Sequence, residues 1–388
     1  MRICYLSEGS SIHTKREIKY FVNQGHEIHL ISWTDEELEG VIVHKMGFDL
    51  FAWSGILTKD KRILNAKEEI NNTLREINPD ILHSCYITNF GYWGAISGFH
   101  PFIITLMGSD IYLNPIRSDQ DHLLTKYTLE KADLIIVECE DLGKKAIQYG
   151  AKRDKVKVIP GGIGVDLNRF HLNIDSNIRD RLKLNNSPVI ISVRNFEYKY
   201  NIKSIIDSIP HVLEKFPEAK FIFLGSGNLE NQLRDRIQEL KVTEAVRWIG
   251  KVPHSDIPKY LSASDIFVAV PVTDAISVSL LEAMACGVAP IVTDLPPNRE
   301  WIKDGFNGYL VPITILGHYR KDGTVYSAYR LEKNTLLDSI LKLIENEDIR
   351  RQFVKRNWEI VSKKADYYRN MGKIESLYNK LIKRVRDG

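Results

Sequence analysis

The feature that most constrains the fold of this chain is an alternation of short Ile- and Val-rich runs with longer segments of helical period. Such alternation is typical of parallel sheets whose two faces are covered by helices. It occurs twice, before and after a glycine-rich connector, IPGGIGVDLNRF (159–170), which favours turns. The pattern therefore predicts two Rossmann-like α/β domains facing each other across a cleft, and 388 residues are enough for both.

The predicted strands fall into two series. The first comprises RICYLS (2–7), EIHLIS (27–32), VIVHKM (41–46), DILHS (80–84), PFIITL (101–106), DLIIVE (133–138) and KVKVIP (155–160). The second comprises PVIISV (188–193), KFIFLG (220–225), AVRWIG (245–250), DIFVAV (265–270) and APIVTD (289–294). The segment GHYRKDGTVYSAYRLE (317–332) interrupts the second series, and its Asp322-Gly323 pair predicts a type I′ hairpin without an assigned role. From Leu331 to the end the chain is predicted to be helical, with a break near Ala365.

Composition argues against several classes of protein. A formal net charge of +3 from nearly balanced acids and bases is too small to favour nucleic acid as a partner. The four cysteines lack the spacing of a metal site or of a disulfide framework. The amino terminus lacks the apolar core of a signal peptide, and no apolar stretch approaches the roughly 18 residues of a membrane span. We therefore expect a cytoplasmic protein.

Ligands of doubly wound sheets bind at the carboxyl ends of the strands, so the loops that follow strands carry the candidate site residues. The loop SEGSSIHTKRE (7–17) contains Gly9 and small hydroxyl residues ahead of a helix. This composition suits anion binding by backbone N–H groups, and a simple helix cap explains it equally well. The loop FLGSGNLENQL (223–233) contains Gly225 and Gly227, which suit a nucleotide base or phosphate but are also common in turns.

Two cations mark the loop RNFEYKYNIKS (194–204). Arg194 and Lys199 follow a predicted strand, where they are placed to meet a diphosphate. The loop has no Gly-Lys-Ser/Thr of a Walker motif, so its cations would neutralise charge in place of magnesium. An exposed, solvated charge run is the simpler alternative.

The strongest signal is PVTDAISVSLLEAMACGVAPIVTD (271–294), which predicts a strand, loop, helix, glycine stop and strand. Ser277 or Ser279 can cap the helix, so that its free N–H groups face the ligand site. Asp274 lies ahead of the helix and Glu282 within it, and two such carboxylates can accept hydrogen bonds from vicinal hydroxyls of a ribose or hexose. A turn-forming aspartate and an ordinary helix glutamate are the alternative.

The stretch DAISVSLLEAMACG resembles the signature of the family-four retaining glycosyltransferases of group 1 type, which have the GT-B fold. In that family seven residues separate two acidic residues ahead of an Ala-Met-Ala/Ser-x-Gly segment. Asp274 and Glu282 share this spacing, with Asp in place of the commoner Glu. RNFEYKYN resembles the donor-phosphate loop of the family, with Tyr200 where many members have Gly. NQGHEIHLIS, GGIGVDLNRF and NREWIKDGFNGYLVP also match, so the resemblance covers nearly the whole chain.

The resemblance implies an N-terminal acceptor domain (1–165, completed by a crossover helix, 366–388) and a C-terminal donor domain (166–365). It implies hexosyl transfer from a UDP- or GDP-sugar, with no metal or other cofactor, to a glycan, lipid-linked or small-molecule acceptor in cell-surface polysaccharide or glycolipid synthesis. Glu282 would bind the donor ribose and Asp274 the sugar hydroxyls. Arg194 and Lys199 would hold the diphosphate, assisted by amides of Ala275, Ile276, Ser277, Val278 and Ser279, and Gly9, Gly225 and Gly227 complete the expected donor site.

Retention in this family is explained by front-face attack, in which a donor phosphate oxygen accepts the proton of the acceptor and site electrostatics lower the barrier. Many members place a histidine near the reacting sugar, at the turn after a strand of the N-terminal domain. The comparable stretch here is TLMGSD, with Met107 at the expected histidine position. Asp110 and His13 are therefore the candidate helpers, whereas His83, on a predicted strand, is expected to be a core residue.

The segment GFDLFAWSGILTKDKR (47–62) is the candidate acceptor or membrane element, because Phe48, Phe51 and Trp53 precede three basic residues. An apolar tip with adjacent bases can dip into an anionic membrane surface or receive a lipid-linked acceptor. Packing against its own domain or against a second subunit is the alternative. Peripheral membrane contact through 48–62 and a homodimer both remain open.

Two other functions remain open at this point. An inverting GT-B enzyme or a sugar-nucleotide epimerase would share the fold, but the paired acids before Ala-Met-Ala argue against it. A nucleotide-sugar-binding protein without turnover is compatible with the departures from the family pattern at Asp274 and Met107.

Overall fold

The computed structural model describes residues 1–34, 36–47, 61–321 and 324–387. The chain forms two compact units. The first comprises Met1–Ile163, Arg320–Val325 and Tyr368–Gly388, and the second comprises Gly164–Tyr319 and Tyr326–Tyr367. Most of the predicted acceptor segment (48–62), and the Asp322-Gly323 turn, lie outside the described residues.

The first unit contains a seven-stranded parallel sheet. Its strands are β1 (Arg2–Leu6), β2 (Glu27–Ser32), β3 (Val41–Lys45), β4 (Ile81–Cys85), β5 (Phe102–Thr105), β6 (Leu134–Val137) and β7 (Val156–Val158). Their order is β3-β2-β1-β4-β5-β6-β7. The helices along this part of the chain are α1 (Ile12–Asn23), α2 (Lys61–Ile77), α3 (Tyr92–Ser97), α4 (Ser109–Tyr112), α5 (Asp119–Lys131) and α6 (Glu140–Gln148). β4, β5 and β6 are buried throughout, which explains their continuous apolar runs.

The second unit contains a six-stranded parallel sheet. Its strands are β8 (Val189–Val193), β9 (Lys220–Leu224), β10 (Val246–Gly250), β11 (Ile266–Ala269), β12 (Ala289–Thr293) and β13 (Tyr309–Val311). Their order is β10-β9-β8-β11-β12-β13, so the chain reverses direction across the sheet between β8 and β11. The carboxyl ends of strands at such a reversal are the usual ligand site of this fold. Sequence reasoning missed β13, because three residues are too few for a periodic signal.

Helices surround the second sheet, and a small separate sheet follows it. The helices are α7 (Ile178–Arg181), α8 (Ile202–Lys215), α9 (Glu230–Glu239), α10 (Ile257–Ser262), α11 (Val278–Ala285), α12 (Pro296–Arg299), α13 (Lys333–Glu345) and α14 (Glu347–Lys364). Two further strands, β14 (Ile313–Lys321) and β15 (Thr324–Leu331), pair only with each other within the described residues and form what we call the hairpin. The two parallel Rossmann-like sheets confirm the predicted fold class.

The last helix, α15 (Tyr367–Asp387), packs its buried face in the first unit. The hydroxyl of Tyr378, which is fully buried, lies 2.6 Å from Nδ1 of His83, whose Nε2 lies 2.8 Å from Oγ1 of Thr105. His83 is therefore a satisfied core residue, as expected. The break predicted near Ala365 is confirmed, since α14 ends at Lys364 and the next helix begins at Tyr367.

The glycine-rich connector pairs with the break between the last two helices. Val165 forms a parallel bridge with Asp366, and its N–H donates to the carbonyl oxygen of Ala365 over 2.7 Å. Gly164 has a φ of +75°, and a Cβ there would lie 2.4 Å from that same carbonyl oxygen. A side chain at this position would force the two segments apart, which explains why the connector needs glycine.

Candidate active site

Arg194 is the centre of a polar cluster at the carboxyl end of β8. Its Nη2 donates to Oδ2 of Asp274 over 2.7 Å, and its Nη1 donates to Oγ of Ser277 (2.6 Å) and to Oγ of Ser279 (3.2 Å). The side chain is 10% exposed and that of Asp274 is 17% exposed. Residues predicted separately from two loops, about 80 positions apart, are therefore brought together.

The partners of Arg194 gather at the amino terminus of α11. Ser277 caps this helix, because its hydroxyl accepts a hydrogen bond from the N–H of Leu280 over 3.3 Å. Asp274 also accepts from the N–H of Ala275 over 3.1 Å. Ala275 and Ile276 are buried, whereas Val278 and Ser279 are half-buried. The hydroxyl groups, the carboxylate and the free N–H groups of the first helical turn therefore lie in one place.

Lys199 belongs to the same loop as Arg194, in a 3-10 turn spanning Tyr198–Tyr200. Its Nζ lies 3.5 Å from Oε2 of Glu197 and 5.0 Å from the centroid of the Tyr200 ring. Burial opposes the charge of Lys199, but Tyr200 and Glu197 outweigh burial and raise its pKa above the ordinary value. Lys199 is therefore a cation at neutral pH, as phosphate binding requires.

Gly225 and Gly227 allow the loop after β9 to pack against the loop that carries Arg194 (194–204), which we call the arginine loop. A Cβ at Gly225 would lie 2.3 Å from the carbonyl oxygen of Arg194, and a Cβ at Gly227 would lie 2.4 Å from that of Phe196. The N–H of Phe196 in turn donates to the carbonyl oxygen of Ser226 over 2.9 Å. Close approach of two backbones explains both glycines. Their contact with a ligand is an additional role that remains a prediction.

Glu282 lies inside α11 and is 3% exposed. Its Oε1 lies 2.7 Å from Nε2 of His254, in the loop that follows β10. The His254 ring packs against Phe170, with the two ring centroids 5.3 Å apart. One carboxylate oxygen is thereby fixed by the imidazole. Sequence reasoning missed His254, because a lone histidine 28 positions before its partner carries no recognisable spacing.

Asp110 is buried in the first unit and is held by backbone groups. Its oxygens accept hydrogen bonds from the N–H of Met107, over 3.0 and 3.2 Å, and from the N–H of Ile87, over 3.1 Å. Burial raises its pKa to about 6, although these N–H groups act in the opposite direction. We interpret Asp110 as joining the loops after β4 and β5. Its helper role remains a prediction.

Gly9 and His13 also belong to the first unit. Gly9 is buried, and a Cβ there would lie 3.2 Å from both Oγ1 of Thr34 and Cβ of Glu36, so tight packing explains the glycine. His13 is the second residue of α1 and is half-buried. The helper role of His13 remains a prediction.

The described ranges offer two observations that bear on metals and membranes. No group of three or more His, Cys, Asp and Glu side chains there is arranged to hold a metal ion. No helix in the same ranges combines the length and apolar character needed to cross a bilayer.

Two family models match the chain in succession. The model of glycosyl transferases group 1 matches residues 173–359, and the glycosyl transferase 4-like model matches residues 2–139. The Arg194 cluster and Glu282 lie within the first match. Asp110 and His13 lie within the second.

The sequence is also similar to those of proteins that are named as glycosyltransferases or mannosyltransferases. An uncharacterized glycosyltransferase of Methanocaldococcus jannaschii is 26% identical over 264 residues, which cover 62% of this chain and 64% of the relative. A phosphatidyl-myo-inositol mannosyltransferase of Mycobacterium tuberculosis is 25% identical over 220 residues, which cover 56% and 52%. The chain thus matches less than two thirds of either relative. The structure of Anabaena Alr3699/HepE in complex with UDP and glucose has a TM-score of 0.78 at 17% identity, over 98% of this chain and 100% of that chain, which shows a shared fold.

Proposed function

Because this chain belongs to the group 1 glycosyltransferases, we propose that it transfers a sugar from a nucleoside diphosphate sugar to an acceptor with retention of configuration. The proposed donor site lies at the strand ends of the second unit. Arg194 and Lys199 bind the diphosphate, Glu282 binds the ribose, and Asp274 binds hydroxyls of the transferred sugar.

The observation that carries this proposal is the hydrogen bonding of Arg194. Its two terminal nitrogens bind Asp274, Ser277 and Ser279, while its Nε is buried and has no hydrogen-bond partner among the described residues. A buried donor without an acceptor costs ~1–3 kcal/mol, and more when the group is charged. A phosphate oxygen would satisfy it once the Arg194 side chain turns toward the ligand. The cluster therefore suits an anionic ligand at the amino terminus of α11.

The two carboxylates bind different hydroxyl groups of the donor, those of the ribose at Glu282 and those of the transferred sugar at Asp274. His254 occupies Oε1 of Glu282, which leaves Oε2 as the acceptor for ribose hydroxyls. Each oxygen of Asp274 accepts one bond, from Arg194 or Ala275, and a carboxylate oxygen has capacity for a second, here from a sugar hydroxyl. Asp274 therefore orients Arg194 and the sugar at once.

The chemical step breaks the bond between the anomeric carbon and the diphosphate, so negative charge grows on the leaving phosphate. Arg194 and Lys199 stabilise that charge, and removal of one such donor typically costs ~10²–10³ in rate. In the proposed front-face route, a phosphate oxygen accepts the acceptor proton while the new bond forms on the same face. Metal independence is part of this proposal, since the two cations supply the positive charge.

The similar proteins narrow the choice of substrates to test. HepE was captured with UDP and glucose, so UDP-sugars are the first choice and GDP-sugars the second. The mycobacterial relative is named for a phosphatidyl-myo-inositol acceptor, which supports trying lipid-linked acceptors. We propose a cytoplasmic role in glycolipid or cell-surface polysaccharide synthesis. Membrane contact through residues 48–62 and a homodimer belong to the same proposal.

Proton NMR on a mixture of α-linked UDP- and GDP-sugars, with glycan and lipid acceptors, tests the activity. We expect consumption of one donor and a product with the α-configuration. Lys199→Ala and Glu282→Ala should each weaken binding of the nucleoside diphosphate, whereas Asp274→Ala should lower turnover more than nucleotide affinity. Glu347→Ala, at an exposed ion pair with Arg351, is the matched control and should change neither.

Each contrary result would point to a different alternative. A β-configured product would establish an inverting enzyme. If the protein binds the nucleotide but consumes no donor in the presence of any acceptor, a binding protein without turnover would be favoured. Wild-type nucleotide affinity in both Lys199→Ala and Glu282→Ala would refute the assignment of the site.

A further inference from the structure

The hairpin was predicted from its Asp-Gly turn, but its position in the fold suggests a use. One strand, β14, is exposed at nearly every residue, whereas β15 is largely half-buried or buried. Tyr326, Tyr329 and the backbone carbonyl group of Ser327 in β15 contact Tyr198, in the turn Tyr198–Tyr200 of the loop that carries Arg194.

Hydrogen bonds and ring contacts join the hairpin to this loop. The hydroxyl of Tyr198 donates to the carbonyl oxygen of Ser327 over 3.2 Å, and the hydroxyl of Tyr329 donates to Oδ1 of Asn201 over 2.8 Å. The ring of Tyr198 makes edge contacts with those of Tyr326 and Tyr329, at centroid distances of 5.3 and 5.9 Å. Burial, followed by Tyr319, raises the pKa of Tyr198 to about 12, so its phenol remains a donor at neutral pH.

Asn201 is the point at which the loop changes direction into α8. Its φ is +53°, in the left-handed region, and the residue is 4% exposed. Besides Tyr329, the hydroxyl of Ser204 donates to its Oδ1 over 2.8 Å. Asparagine tolerates this backbone conformation better than most residues, and the two hydrogen bonds hold it there.

Tyr200, immediately before Asn201, forms a platform for both site cations. The guanidinium carbon of Arg194 lies 4.3 Å from the centroid of the Tyr200 ring, and Nζ of Lys199 lies 5.0 Å from it. A cation over an aromatic face is attracted by the ring quadrupole, so one ring holds two cations that would otherwise repel each other. Holding long basic side chains in place before a ligand arrives lowers the entropic cost of binding.

We propose that the hairpin and Tyr200 act as positioning elements for the diphosphate. Through Tyr198, Tyr329 and Asn201 the hairpin fixes the turn that carries Tyr200, and the Tyr200 ring presents Arg194 and Lys199 together. This inference rests on the proposed donor site. It gives the hairpin a function, and it gives a role to Tyr200, which stands where many members of the family have glycine.

The test measures dissociation constants of UDP, GDP and the corresponding nucleosides by titration calorimetry and competition. Tyr200→Leu should weaken binding of the diphosphate about tenfold or more and leave nucleoside binding within about twofold, because only the phosphates meet the cations. Tyr200→Phe keeps the ring and should restore wild-type affinity. Tyr329→Phe removes one hydroxyl and should weaken diphosphate binding about three- to fivefold.

Tyr368→Phe, on the exposed surface of α15, is the matched control for loss of a hydroxyl. Thermal unfolding of each variant identifies any general loss of structure, which would weaken diphosphate and nucleoside binding alike and contradict a specific role. Equal diphosphate affinity in wild type, Tyr200→Leu and Tyr329→Phe would overturn the inference while leaving the donor site intact. Wild-type protein that binds neither UDP nor GDP would refute the proposed donor site and this inference with it.

Discussion

The loops that follow strands carry charged residues in both units, but the two units use them differently. In the first unit, the carboxylate of Asp110 is fully buried and bound by backbone N–H groups of its own loops. In the second unit, Arg194 and Asp274 bind each other while 10% and 17% of their side chains remain exposed.

From this difference we infer a structural role for the charge of Asp110 and propose a functional one for that of Arg194. Loss of the Asp110 carboxylate would leave the N–H groups of Ile87 and Met107 without this acceptor. The Arg194 cluster consists of side chains that can exchange partners with a ligand, and one donor of Arg194 lacks a partner within the described ranges. Because Glu282 is also buried, the criterion that we propose for the two roles is the type of partner, which is backbone for Asp110 and side chains for Arg194.

The largest effect is expected for Arg194→Ala. The substitution removes the donor to the leaving phosphate and leaves Asp274 without its cation, so turnover should fall ~10²–10³-fold. Steady-state kinetics with the donor identified by NMR measures this effect. Arg351→Ala, at an exposed ion pair, is the matched control, since such pairs contribute only ~0–1 kcal/mol to stability. A turnover loss below tenfold in Arg194→Ala would contradict a functional role for Arg194, and with it the contrast that we draw with Asp110.

An intermediate effect is expected for His254→Ala. A hydrogen bond to a charged group contributes ~1.5–3 kcal/mol, so loss of the bond to Glu282 should weaken nucleoside diphosphate binding roughly tenfold or more. If Glu282 binds the ribose, the preference for UDP or GDP over the 2′-deoxy form should also decrease. Titration with both ligands measures this ratio. An unchanged ratio would place the ribose elsewhere, and partial recovery in His254→Asn would support an orienting role.

The smallest change in nucleotide affinity is expected for Asp110→Asn, within about twofold of wild type. Its effect should appear in stability instead. Because folding raises this pKa from 3.8 to about 6, the carboxyl group contributes stability fully below pH 3.8 and loses that contribution as pH rises through 6. The integrated change is about 3 kcal/mol at most.

Denaturant unfolding of wild type and Asp110→Asn at pH 4, 5, 6 and 7 measures this effect. The stability of wild type relative to the variant should decrease over that range. A large loss of nucleotide affinity in Asp110→Asn, with no pH-dependent difference in stability, would show that the first unit uses this carboxylate as a functional group after all.

Residue patterns predicted the sheets well. Parallel strands are buried on both faces, so each one consists of consecutive apolar residues that are visible in the sequence. They also predicted Arg194, Lys199, Asp274 and Glu282 as candidates, since the carboxyl ends of strands meet at one edge. They did not predict the burial of Asp110, because burial of a loop carboxylate depends on the segments that close over it.

The remaining features depend on contacts between distant positions. His254 and Glu282 are 28 positions apart, and Asn201 and Tyr329 are 128 apart. Neither separation follows a helical or strand period, so no local pattern indicates these pairs. The family pattern showed that Tyr200 stands where many members have glycine. Only the three-dimensional structure shows that its ring lies near both Arg194 and Lys199.

The proposed mechanism requires that the strand ends of the second unit hold the nucleotide. Hydrogen–deuterium exchange of the wild-type protein, with and without saturating UDP or GDP, tests it directly. We predict that the strongest protection falls on segments 194–204 and 272–282 and on the loop around His254. Protection confined to the loops of the first unit, with those segments unchanged, would contradict the account.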